Sequence, residues 1–144
     1  MTMTPQITIT RRLPATAAEV YAEWLDPDAL LEWMCPHPAR PTRVELDPVI
    51  GGHYRFDIED DGAVVITGRY LQLEPGRLIS FTWSCDRWAD PSVESIVTIS
   101  LAPNGDDCDL TLTHTLLPTE QIAGHTKGWA AIANQLSDRL ASPR

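Results

Sequence analysis

"DPVIGGHYRFDIEDDG" (residues 47–62) sets two glycines in front of a run in which polar and apolar side chains alternate. His53, Arg55 and Asp57 share one parity, and Tyr54, Phe56 and Ile58 share the other. Successive side chains of a strand point to opposite faces. The run is therefore a strand with one face in water and the other against something apolar. Whether that partner is a packed core or a space kept open for a ligand decides how the fold is to be read.

The period of two extends in both directions. It predicts strands over 42–48, 52–59, 63–73, 77–85, 94–102 and 108–116, parted by turn pairs such as Asp61-Gly62, Pro75-Gly76 and Asn104-Gly105. An earlier alternating run, 6–13, predicts a first strand that ends at Pro14. Short links between consecutive strands imply an antiparallel meander. The stretch 86–92 is the longest and least regular link.

Two segments follow a helical period instead. After the first strand, Val20, Trp24 and Leu25 fall on one face of a short helix starting near Thr16. Asp26-Pro27 then reads as an N-cap with proline at the first helical position, opening a second short helix through Leu30, Leu31, Trp33 and Met34. Three prolines in residues 35–41 stop it. From about Thr119, a stripe of Ile122, Trp129, Ile132, Ala133, Leu136 and Leu140 predicts one long helix. Gly124 and Gly128 weaken its first half. Either the helix breaks near Gly124, or a glycine lets its backbone lie close to another element.

The expected architecture is α+β: a curved antiparallel sheet of six or seven strands wrapped around a long C-terminal helix, with two short helices after the first strand. No repeat or linker divides residues 1–144, so one domain is expected. A helix about 10 Å across cannot fill the concavity of such a sheet. Space is left between them, with the short helices closing one end.

Composition narrows the partners. The net charge is −9 and the 11 basic residues are scattered, which disfavours a nucleic-acid partner. No apolar stretch approaches the ~20 residues of a membrane span. The N-terminal MTMTPQITIT lacks a basic start and an apolar run, so it is not read as a signal peptide. With Cys35, Cys85 and Cys108 far apart and odd in number, reduced thiols and a cytoplasmic location are expected. Cys35-Pro36-His37 has no second ligand pair at zinc-site spacing, so no metal is assigned. Nucleophile–base pairs, paired catalytic carboxylates and phosphate loops are absent as motifs, and no cofactor is assigned.

Five local patterns occur in one order: Val20 to Trp33 with Trp24, Asp26-Pro27 and Leu30; Gly51-Gly52-His53-Tyr54-Arg55-Phe56; Gly68, Tyr70, Pro75, Leu78, Phe81 and Trp83; Leu110 to His114; and Gly128-Trp129. Together they resemble the START-like (SRPBCC, helix-grip) superfamily, in its branch named after the activator of the heat-shock-protein ATPase. The resemblance implies a fold with a deep, ligand-capable cavity and leaves the chemistry open.

The expected pocket residues are Trp33, Tyr54, Phe56, Trp83, His114, Trp129 and Ile132, which suit an apolar or aromatic ligand. Each aromatic could equally fill a core. His114 shares the parity of Leu110 and Leu112, so it should point inward, as a pocket's polar anchor or as a hydrogen-bonded core histidine. His53, Arg55, Asp57 and Arg69 are read as a solvated outer face. Three functions are carried forward: binding of a small, mostly apolar molecule; an enzyme of the cyclase, dehydratase or hydrolase kind that the superfamily resemblance implies, with His114 as acid or base; or a chaperone-associated or regulatory interaction module. The sequence is also compatible with a homodimer.

Overall fold

A computed structural model describes residues 6–142. In chain order these form β1 (Ile7–Leu13), α1 (Ala17–Trp24), α2 (Pro27–Trp33), β2 (Arg40–Leu46), β3 (His53–Glu59), β4 (Ala63–Glu74), β5 (Leu78–Cys85), β6 (Ser95–Asn104) and β7 (Asp107–Thr115). A short 3₁₀ turn, Thr119–Gln121, then leads into α3 (Ile122–Ala141). The start of the N-terminal stretch read above for a signal peptide, residues 1–5, lies outside the described residues.

The strands form one seven-stranded sheet in the order β1-β7-β6-β5-β4-β3-β2, and every neighbouring pair is antiparallel. The meander runs from β2 to β7, and β1 closes beside β7, with Ile7 opposite His114 and Leu13 opposite Cys108. This curved sheet with its long C-terminal helix is the α+β helix-grip fold. Turn chemistry sets the register. Asp61 and Gly62 take φ of 52° and 109°, the left-handed pair that a tight hairpin turn requires between β3 and β4.

The short helices start where their caps dictate. The Thr16 hydroxyl accepts from the Glu19 amide at 3.2 Å while the Glu19 carboxylate accepts from the Thr16 amide at 3.3 Å. Asp26 caps α2 by accepting from the Asp28 amide at 3.0 Å, with Pro27 at a position where no amide is needed.

α3 runs unbroken through both glycines and buries Trp129, Ile132, Leu136 and Leu140. Neither explanation offered for Gly124 holds: the helix does not break, and no backbone of another element comes within 4 Å of where its Cβ would be. Polar bonds hold α3 against the short helices. The Gln135 amide donates to the carbonyls of Trp33 and Cys35 at 3.0 and 2.7 Å and accepts from the His37 amide at 2.9 Å. The Arg139 guanidinium donates to both carboxylate oxygens of buried Glu23 on α1.

Candidate functional site

The space under α3 divides into two unlike ends. At the end near α1, aromatic rings fill it. Tyr54 packs on Phe56, Tyr70 and Phe81 with centroids 5.0, 5.7 and 5.5 Å away. Its hydroxyl donates to the Thr82 carbonyl, which the ring reaches by lying over Gly68, where a Cβ would collide with the ring. Trp33 meets Trp24 edge to face at 4.8 Å. Voids of only about 10 Å³ remain there, about the room for one water.

At the other end lies a cavity of about 320 Å³. Ile58 of β3 and Val64 and Ile66 of β4 give one wall, Trp83 and Cys85 of β5 the next, and Trp129 and Ile132 of α3 the cover. Trp88, from the irregular link after β5, folds into it and is 4% exposed. Met34, Cys35, Pro36 and Ala39, just beyond α2, close the side. Trp83 and Trp129 stand 5.0 Å apart, and the ring of His125 lies 6.4 Å from Trp83 and 6.1 Å from Trp88. The lining is mostly hydrophobic and aromatic, and its volume is at the small end of the range for ligand sites.

The histidines and the guanidinium around this cavity are engaged by the protein. His114 is fully buried, behind the wall rather than in it. Its Nδ1 accepts from the Trp129 indole N–H at 2.9 Å, so Nε2 carries the proton and donates to the Ser95 hydroxyl at 2.8 Å. Ser95 in turn donates to the Trp83 carbonyl at 2.6 Å. Every donor in this chain has an acceptor. Burial, with the neighbouring His125, pushes the His114 pKa down to about 3. Protonation would set a second N–H against the Trp129 N–H.

His125, missed in the sequence, is the histidine that borders the cavity. Its Nδ1 is 3.0 Å from the Gln121 carbonyl, to which it donates, and Nε2 accepts from the Trp83 indole N–H at 3.3 Å. Burial lowers its pKa, partly offset by the bond to Gln121. The Arg87 guanidinium, at the rim, is held by the carbonyls of Asp60, Asp61 and Ala63 at 3.0, 3.3 and 3.3 Å. Cys35 and Cys85 border the cavity as protonated thiols; burial and Asp60 push Cys35 up to about 12, and burial also raises Cys85. Such thiols are poor nucleophiles. Among the described residues no group of three or more His, Cys, Asp or Glu is placed to hold a metal ion.

Of the seven expected pocket residues, Trp83, Trp129 and Ile132 meet at this cavity. Tyr54, Phe56 and Trp33 belong to the packed end, and His114 lies behind the wall. The opening run therefore has both kinds of partner: Tyr54 and Phe56 face a filled core, and Ile58 faces the cavity. A larger groove of about 620 Å³ crosses the outer face of the sheet, floored by His53, Arg55, Arg69 and Thr82. It is open and charged, spanned by the exposed Arg69–Glu94 pair at 3.3 Å. The smaller cavity has the apolar, concave character of a ligand site, and the groove does not.

A family model described as Activator of Hsp90 ATPase homolog 1-like protein matches residues 14–141. A crystal structure of protein CV1439 from Chromobacterium violaceum is similar at 26% identity, with a TM-score of 0.81 over 96% of this chain and 99% of that one. Protein NE0264 from Nitrosomonas europaea shares the fold at 18% identity, with a TM-score of 0.80 over 92% of each chain. CalU16 from Micromonospora echinospora does so at 21% identity, with a TM-score of 0.73 over 94% of this chain and 76% of that one. A search of curated proteins finds no match. Among the described residues no helix is long and apolar enough to cross a membrane.

Proposed function

The chain belongs to the family of Activator of Hsp90 ATPase homolog 1-like proteins, and we propose that it binds a small, mostly apolar or aromatic molecule in the cavity beneath α3. One observation carries this reading. The cavity is walled by Trp83, Trp88 and Trp129, and the indole N–H groups of Trp83 and Trp129 already donate to His125 and His114. A guest therefore meets ring faces and aliphatic carbons, with few free donors to satisfy, and apolar burial supplies most of its affinity.

An acid–base role for His114 draws no support from this geometry, since both nitrogens are engaged and the ring does not border the cavity. We assign it to the scaffold, where it accepts the Trp129 indole N–H from behind the wall. Titration with uncharged aromatics, fatty acids, flavonoids and aromatic acids tests the proposal. Binding is expected to quench or shift tryptophan emission and to raise the melting temperature, because a ligand that binds only the folded state stabilises it. A panel that leaves both unchanged refutes it.

A further inference from the structure

The two glycines of α3 stand where glycine has least structural reason to be. Glycine is the poorest helix former after proline, and it is usually retained for a left-handed backbone or for close approach of another element. Neither applies to Gly124 or Gly128. Neither has a positive φ. A Cβ on Gly124 would meet nothing within 4 Å, and one on Gly128 would meet only Pro36 Cγ at 3.7 Å, an ordinary contact. Alanine fits both positions. What the glycines leave is room.

That room is at the cavity. Both residues border it, one turn apart on the same side of the helix. Gly124 is exposed at the mouth, Gly128 is half-buried further in, and Trp129 and Ile132 are buried beyond them. Pro36 and Trp88 also border the cavity here. The ring of His125, between the glycines in sequence, is bonded towards Trp83 at 3.3 Å. We propose that the strip from Gly124 to Gly128 is the ligand's way in: a slot bordered on one side by helix that carries no side chain at residues 124 and 128, which admits a flat aromatic molecule and whose width those two residues set. This rests on the binding reading above.

The test uses the uncharged fluorescent probe N-phenyl-1-naphthylamine in stopped-flow and equilibrium titrations of the full chain, with thermal melts on the same samples. Gly124→Ala and Gly128→Ala should melt at or above the wild-type temperature, by up to about 4 °C, because alanine favours the helix and nothing obstructs it. Gly124→Leu should keep the melting temperature but slow probe association and dissociation about tenfold together, leaving the equilibrium constant less changed, as expected when entry rather than fit is altered. Gly128→Ala, deeper in, should weaken the equilibrium constant about fivefold. Wild-type rates in Gly124→Leu, or a clear loss of melting temperature in either alanine variant, would overturn the portal while leaving the binding site standing. A wild-type chain that binds no probe of this class brings down the binding reading and the portal with it.

Discussion

Two imidazole rings lie 5.5 Å apart, one on β7 beneath α3 and one on α3 itself, and obey different rules. His114 sits in a sealed region in which every polar atom of its chain has a partner, from the Trp129 indole through Ser95 to the Trp83 carbonyl. His125 sits at the wall of a cavity, on a helix segment thinned by glycines, with one bond to its own helix and one long bond to Trp83. The sealed region trades access for order. The open one keeps an accessible surface at the cost of helix propensity and packing. The comparison teaches that inward direction alone does not make a site, because a site also needs space and groups left free to face it.

The largest expected effect comes from breaking the sealed side. His114→Leu strands the Trp129 indole N–H and should cost about 2–3 kcal/mol, read from urea midpoints, since a buried donor without an acceptor keeps its full desolvation penalty. Probe affinity per folded molecule should change little. A large affinity loss with unchanged stability would instead put His114 in the site.

Acid should act on the same region. The folded pKa of His114 is about 3, below its ordinary value of 6.5, so the unfolded chain binds more protons between those values. The contribution of neutral His114 is thus fully present above about pH 6.5 and is lost as pH falls towards 3. From pH 6.5 to 4.5 the loss should reach about 2 kcal/mol. His125, lowered in the same direction, adds to it. A flat stability profile over those two pH units would contradict the sealed geometry, and His114→Leu should flatten most of the slope.

Smaller effects sharpen the contrast. Arg139→Met leaves the buried Glu23 carboxylate without its guanidinium; with the Arg139 side chain 35% exposed, solvent screening holds the expected loss to about 1 kcal/mol by chemical denaturation. His125→Phe keeps a ring in the cavity wall and removes an acceptor that lies 3.3 Å from Trp83 Nε1. Its cost should stay below about 1 kcal/mol, with a shift in Trp83 emission as the more sensitive readout. If His125→Phe proved as damaging as His114→Leu, the two regions would not differ as described.

How far these features were legible follows from the kind of signal each leaves. Parity gave the strands, because a half-buried strand must alternate, and the capping residues Thr16 and Asp26 fix helix starts within the local chain. Parity also turned His114 inward. It could not say what stood on the far side, since the partners Ser95 and Trp129 come from β6 and α3. The same limit divided Tyr54 and Phe56 from Ile58: one apolar face, two surroundings. Trp88 left no trace, because an irregular link has no period to read. His125 did leave one, a polar ring bracketed by Gly124 and Gly128 in a helix that would otherwise favour bulk, and that combination marks a helix face kept clear.

The pairing of β1 with β7 carries a consequence for the order in which this molecule can be made. Ile7 finds its partner at His114, and Glu23 finds Arg139, so the earliest segments wait for the last. Pairings this distant in sequence form late and slowly. During synthesis, β1, α1 and α2 would emerge with their apolar faces uncovered while the meander builds beside them. The Trp129–His114–Ser95 chain joins α3, β7 and β6, so it cannot be complete until the final helix docks. The sealed region and the cavity would then arise in a single closing event.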